Sequence, residues 1–273
     1  MSIPFQGTAW ALSAESIAAA ADALAVSAAE IWTVLAVETS GCGYLADRRP
    51  QICFERHVFH RLTQGKYDDG DISDPTPGGY GAPGAHQYER LNLAIEKDRN
   101  AALKSASWGI GQIMGENFVL AGHKSVEDFV IAMMRSEDDQ LAAMADFLFS
   151  RKLHFALQAH DWADFARHYN GPDFAVNQYA LRLNIAYKKF SSGSLPDLNV
   201  RASQLYLTYL GFDPGPVDGV AGERTIFALA GYHRSQALEG RPLITSEFVE
   251  QLKDVLYSKT AANGLAVAEP TPA

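Results

Sequence analysis

A mainly α-helical chain in two unequal units is what this sequence predicts, on three observations. Apolar residues recur at helical spacings along most of the chain, strand signals are scarce, and Ser191-Ser192-Gly193-Ser194 reads as a short flexible linker between a longer and a shorter segment. A length of 273 residues fits two domains with buried cores, and 47% hydrophobic with 20% charged residues is an ordinary globular balance. No uninterrupted apolar run approaches the ~20 residues of a membrane span, so membrane insertion is not expected. With 23 Lys and Arg against 32 Asp and Glu, the net charge of -9 opposes binding to nucleic acid.

The first helix is predicted from Ser13, with Ile17, Ala20 and Leu24 on one face. Ser27 followed by Glu30 is a capping-box pattern that opens a second helix carrying Ile31, Val34, Leu35 and Glu38. Gly41 and Gly43 end it, which puts Glu38 in its last turn. Pro50 to Leu62 reads as helix or helix–turn, Gly65 to Gly84 as a long loop, Tyr88 to Ser105 as helix and Ala106 to Gly115 as a glycine-punctuated turn. One long helix is expected over Val126 to Leu153, then helices over Trp162 to Tyr169 and Pro172 to Phe190. Beyond the linker, Val200 to Leu210, Arg224 to Tyr232 and Thr245 to Tyr257 supply three short helices, and Ala261 to Ala273 a frayed tail. Cys42 and Cys53 are too few for a disulfide scaffold and read as reduced thiols.

Glu38 shares a face with Ile31, Val34 and Leu35, so its carboxylate points toward apolar surface. Burial and the negative end of the helix dipole both favour the protonated acid. An acid kept neutral near pH 7 is what protonation of a glycosidic leaving oxygen requires. Taken alone, the residue also fits a surface glutamate in a last turn.

The neighbouring residues carry more. Ala36-Val37-Glu38-Thr39-Ser40-Gly41-Cys42-Gly43-Tyr44 resembles the Glu-Ser-x-Gly-x-Gly-aromatic signature of phage-type N-acetylmuramidases. Phe54-Glu55-Arg56-His57 is similar to that family's second block, and Ser105 to Gly115, with Ser107, Trp108 and Gln112, to a third block also found in goose-type lysozymes and lytic transglycosylases. Tyr169-Asn170-Gly171 resembles the motif that closes the cleft in that superfamily. Thr39 in place of Ser and Cys42 at the variable position are the departures, and neither removes an ionisable catalytic group. The resemblance implies a lysozyme-like, goose-lysozyme-related catalytic domain over 1–190, with Glu38 as acid and Ser107, Gln112, Tyr169 and Asn170 as substrate-binding residues.

The second carboxylate is open. Glu55 is the first choice, yet it also fits a structural partner of Arg56 or another buried cation, and Asp47 or the loop acids Asp68, Asp69, Asp71 and Asp74 are alternatives. The loop lacks calcium-ligand order, and His57 and His60 lack zinc spacing, so neither metal nor cofactor is expected.

Past the linker, Val200 to Phe212 and Asp213-Pro214-Gly215-Pro216-Val217-Asp218-Gly219 through Thr225 resemble the small three-helix peptidoglycan-binding domain of cell-wall hydrolases, spanning 195–260. The resemblance implies Asp218, Gly219, Arg224 and Thr225 as anchor residues. Leu207, Leu210, Val217, Ile226 and Leu229 are the expected core, with Ser203 where that family has Leu.

Together these resemblances imply a monomeric phage endolysin that hydrolyses the β-1,4 bond between N-acetylmuramic acid and N-acetylglucosamine. It would be made in the bacterial cytoplasm without a signal peptide and released to the wall with a holin's help. A lytic transglycosylase and a catalytically dead wall-binding structural protein are the alternatives.

Overall fold

The computed structural model describes residues 3–39, 41–169, 178–239 and 242–262. Helix dominates them. Ser13 caps α1 (Ala14–Leu24), its hydroxyl accepting from Ser16 N. Ser27 and Glu30 form the expected reciprocal cap on α2 (Ala28–Thr39): the Glu30 carboxylate accepts from Ser27 N at 2.9 Å, while the Ser27 hydroxyl accepts from Ala29 N. Ile17, Ala20 and Leu24 of α1 and Ile31, Val34 and Leu35 of α2 are buried in the larger core.

Four stretches differ from the sequence expectation. Pro50 to Leu62 begins as strand β1 (Ile52–Phe54) before α3 (Arg56–Thr63), and the turn expected over Ala106 to Gly115 contains β2 (Ala106–Trp108) and β3 (Ile113–Met114). The three form one antiparallel sheet in the order β1-β2-β3, with Ile52 opposite Trp108 and Phe54 opposite Ala106. Strands of two or three residues are too short to show an alternating pattern, so only the pairing reveals them. Tyr88 to Ser105 is α4 (Ala85–Lys97) and α5 (Arg99–Lys104), broken where the Asp98 side chain caps Ala101 N. The single helix expected over Val126 to Leu153 is α6 (Val126–Arg135) and α7 (Glu137–Ser150), followed by α8 (His154–Gln158). Ser136 turns extended there and caps α7 through Asp139 N.

Helices α9 (Trp162–Tyr169) and α10 (Tyr179–Ser192) complete the larger part, with α10 laid along α2 and α1 against α7. Helix α10 runs through Ser191 and Ser192, which leaves Gly193–Asp197 as the connection to α11 (Leu198–Tyr209). Then come α12 (Glu223–Ser235) and α13 (Ser246–Ala262). The tail expected from Ala261 therefore begins inside a helix, and its residues 263–273 lie outside the described residues.

The second core gathers Leu205, Tyr206, Leu207, Leu229, Tyr232, Phe248, Leu252 and Leu256, but also Ala9 and Tyr44 from the other end of the chain. Leu207 and Leu229 are buried as expected, Leu210 and Val217 pack at the edge, and Ile226 faces solvent instead. Tyr232, from the same helix α12 as Ile226, is buried in this core. Ser203 is fully buried and its hydroxyl finds no hydrogen-bond partner among the described residues, an arrangement that an apolar side chain would avoid.

Candidate active site

Glu38 lies one residue before the end of α2. The chain leaves the helix through Gly41, whose N–H returns to Leu35 O at 3.2 Å and whose φ of +86° suits glycine. Around the Glu38 carboxyl stand Tyr179, which donates its hydroxyl to Oε1, and Arg182, whose guanidinium also donates to Val37 O at 2.8 Å. Both come from α10, packed along α2. Burial pushes the Glu38 carboxyl up to about 8, against the weaker opposing pull of Arg182. The expectation of a protonated acid at neutral pH thus has its cause in the tertiary packing.

The tip of the β2–β3 hairpin closes on this helix end. Thr39 Oγ1 donates to Ile110 O at 3.1 Å, and the Tyr169 hydroxyl donates to Gly111 O at 2.5 Å. Tyr169 is stacked on Phe165, and burial, with a smaller push from the Glu38 charge, holds its phenol well above the ordinary range. Asn170 and Gly171, which complete that motif, and Ser40 lie outside the described residues.

Ser107 and Gln112 meet each other. The Ser107 hydroxyl donates to Gln112 Oε1 at 2.9 Å, while Gln112 Nε2 donates to Gly109 O at 2.8 Å, so the glutamine amide braces the hairpin from within. The hairpin glycines allow the backbone a close approach to the protein itself. An added Cβ would lie 2.6 Å from Gln140 at Gly109, 2.9 Å from Met144 at Gly111 and 2.1 Å from the Leu103 carbonyl at Gly115.

Glu55 occupies a different setting. It precedes α3 as its N-cap residue without a side-chain cap, its backbone N–H donates to Ser105 O, and its carboxylate lies 3.1 Å from His57 Nδ1. Burial raises this carboxyl too, but His57, Tyr80 and the buried Arg90 oppose the rise. Its nearest basic side chain is His57, whereas Arg56 reaches Gly70 O and lies 3.5 Å from Asp74. The other acids considered are also engaged: Asp47 with Arg49, Asp68 with His60 and Ser73, Asp71 with Arg90, and Asp69 with the N–H groups of Asp71 and Ile72. Among the described residues no group of three or more His, Cys, Asp or Glu side chains could hold a metal ion. Cys42 and Cys53 are free, partly exposed thiols that burial pushes up to about 12, away from the thiolate form.

Comparison with known proteins gives the family. Residues 27–191 match the N-acetylmuramidase family. The chain belongs to that family. This N-acetylmuramidase is a glycoside hydrolase acting on peptidoglycan, and it is similar to a Burkholderia AP3 phage endolysin of known crystal structure. The two share 36% identity with a TM-score of 0.60, over 70% of this chain and 73% of that one. No curated protein matches it significantly.

In the C-terminal helices of the muramidase, Asp218, Gly219 and Thr225 converge on buried Gln204. Its Oε1 accepts from Asp218 N and Gly219 N, and its Nε2 donates to Asp218 Oδ1 and Thr225 Oγ1. Arg224 instead is exposed, paired with Asp213, beside a groove of about 560 Å³ that Phe212 and the exposed Phe227 line. Sequence reasoning missed Tyr179, Arg182, Glu137, Gln140 and Arg201. Nothing local marks them, because each acts on segments far away in the chain.

Proposed function

We propose that this muramidase is a phage endolysin that cleaves the β-1,4 bond between N-acetylmuramic acid and N-acetylglucosamine, with Glu38 as the proton donor to the leaving oxygen. The observation that carries this reading is the carboxyl of half-buried Glu38 at the end of α2, raised to about 8 by the packing around it beside the hairpin tip. It keeps its proton at neutral pH and can deliver it where charge develops on the glycosidic oxygen. Tyr169 and the hairpin braced by Ser107 and Gln112 shape the sugar-binding side, with Asn170 completing it. Glu55 is a weaker second carboxylate, since His57 already occupies it.

The C-terminal helices serve as the wall anchor in this reading. Arg224 and Phe227 face the wall, while Asp218, Gly219 and Thr225 hold the turn that presents them. Release by a holin and action as a monomer belong to the same proposal. No single described helix is long and apolar enough to cross a membrane; the nearest pair, α1 and α2, is bent by 106° and buries its apolar face in the larger core.

Mass spectrometry of murein digested by the enzyme is the test. Reducing N-acetylmuramic acid ends are expected. A lytic transglycosylase would leave 1,6-anhydro ends, and cleavage on the other side of the N-acetylglucosamine would leave that sugar at the reducing end.

A further inference from the structure

Arg201, on the first C-terminal helix α11, and Glu137, at the start of α7, form an ion pair that is fully buried on both sides. A pair of this kind contributes to stability only if its remaining donors and acceptors are satisfied, and here they converge on one short turn. Arg201 Nε donates to Gly41 O at 3.0 Å, and Nη2 donates to the same carbonyl and to Glu137 Oε1. Glu137 Oε1 also accepts from Gly43 N at 2.9 Å, and Oε2 accepts from Leu12 N at 3.0 Å. One turn of helix further on, Gln140 holds the hairpin through Ile110 N at 2.7 Å. The two sides that close on Glu38 are therefore fastened to the same helix, and the turn that follows Glu38 is fastened by a residue of the C-terminal helices. Tyr44, next in that turn, is buried in the C-terminal core, where the Tyr206 hydroxyl accepts from Ala11 N and the Tyr209 hydroxyl donates to Ala9 O.

We propose that Arg201 is a positioning residue for catalysis: through Glu137 and the Gly41 carbonyl it fixes the turn that sets the Glu38 carboxyl beneath the hairpin. The C-terminal helices then complete the active site as well as anchoring the enzyme, and the larger part is not an independent catalyst. The inference rests on Glu38 being the acid, and the test separates the two. Lysine keeps the charge toward Glu137 but is a point donor that cannot fork to the carboxylate and the Gly41 carbonyl together. In full-length Arg201→Lys, turnover of soluble murein glycan fragments should show kcat lower by about tenfold or more with KM within about twofold of wild type.

A loosened turn admits water to Glu38, which faces Arg182 and Tyr179 from α10 and Tyr169 from α9. The alkaline limb of the kcat profile should therefore move to lower pH, a change that a purely structural role would not produce. Activity is expressed per folded molecule, measured by circular dichroism below the variant's melting temperature, so that lost stability is not read as lost chemistry. Wild-type kcat and an unmoved limb in folded Arg201→Lys overturn the proposal. Glu38→Gln, assayed alongside, tests the underlying assignment: if it turns over normally, the acid is misassigned, whatever Arg201→Lys does.

Discussion

Glu38 and Glu55 lie in two of the blocks shared with the family, and burial raises both carboxyls. Their surroundings differ in what opposes that rise. At Glu38 the opposing charge is Arg182 alone, and the carboxyl is raised to about 8. At Glu55 a histidine contact at 3.1 Å, Tyr80 and Arg90 pull the other way. Burial opposed by one cation leaves Glu38 an acid that holds its proton to about 8, whereas at Glu55 several neighbours work against the same rise. Chemical type and family block do not distinguish the two glutamates; the neighbours do.

The largest effect should come from Glu38→Gln, which keeps the shape but has no proton to give. Turnover should fall at least about 100-fold with murein binding retained. The wild-type kcat should itself decline as pH rises through about 8, as the acid ionises. Stability has the same sign. The folded chain holds the Glu38 proton up to about 8, but the unfolded chain loses it near 4.5, so between these values the folded state binds more protons and wild-type stability falls with rising pH. The melting temperature of Glu38→Gln relative to wild type should accordingly climb across that window. A constant difference would mean that the carboxyl is not buried as described.

Glu55→Gln should cost about 1–2 kcal/mol in stability by leaving His57 without its carboxylate, and lower turnover less than tenfold. A loss as large as that of Glu38→Gln at an unchanged melting temperature would make Glu55 the second catalytic carboxylate and erase the contrast. The smallest effect is expected from Tyr179→Phe. The hydroxyl favours the ionised carboxylate, so its removal should move the alkaline limb of the kcat profile upward, with kcat changed only a few-fold and stability by about 1 kcal/mol. A limb that moves downward would show that the phenol holds the protonated acid instead.

The sequence alone determined the features that depend on neighbours a few residues apart. The Ser13 cap, the Ser27 and Glu30 capping box, and Glu38 on the apolar face of a last turn all follow from helical spacing, and the family blocks lie in continuous stretches. Where short strands, breaks at Ser136 and Asp98, or the exposure of Ile226 were concerned, periodicity was silent or misleading, because pairing and packing decide those positions. The apolar face of α2 pointed to a raised acid, but the side chains that surround it were beyond the sequence's reach. Tyr179 meets Glu38 across 141 residues and Arg201 meets Gly41 across 160, and no local pattern encodes which distant helix will supply a donor. A carboxyl's pKa is set by the water it loses and the charges it meets. At Glu38 both come from α10 and the hairpin, so the position of the acid was legible in the sequence, while its protonation at neutral pH was decided by the tertiary structure.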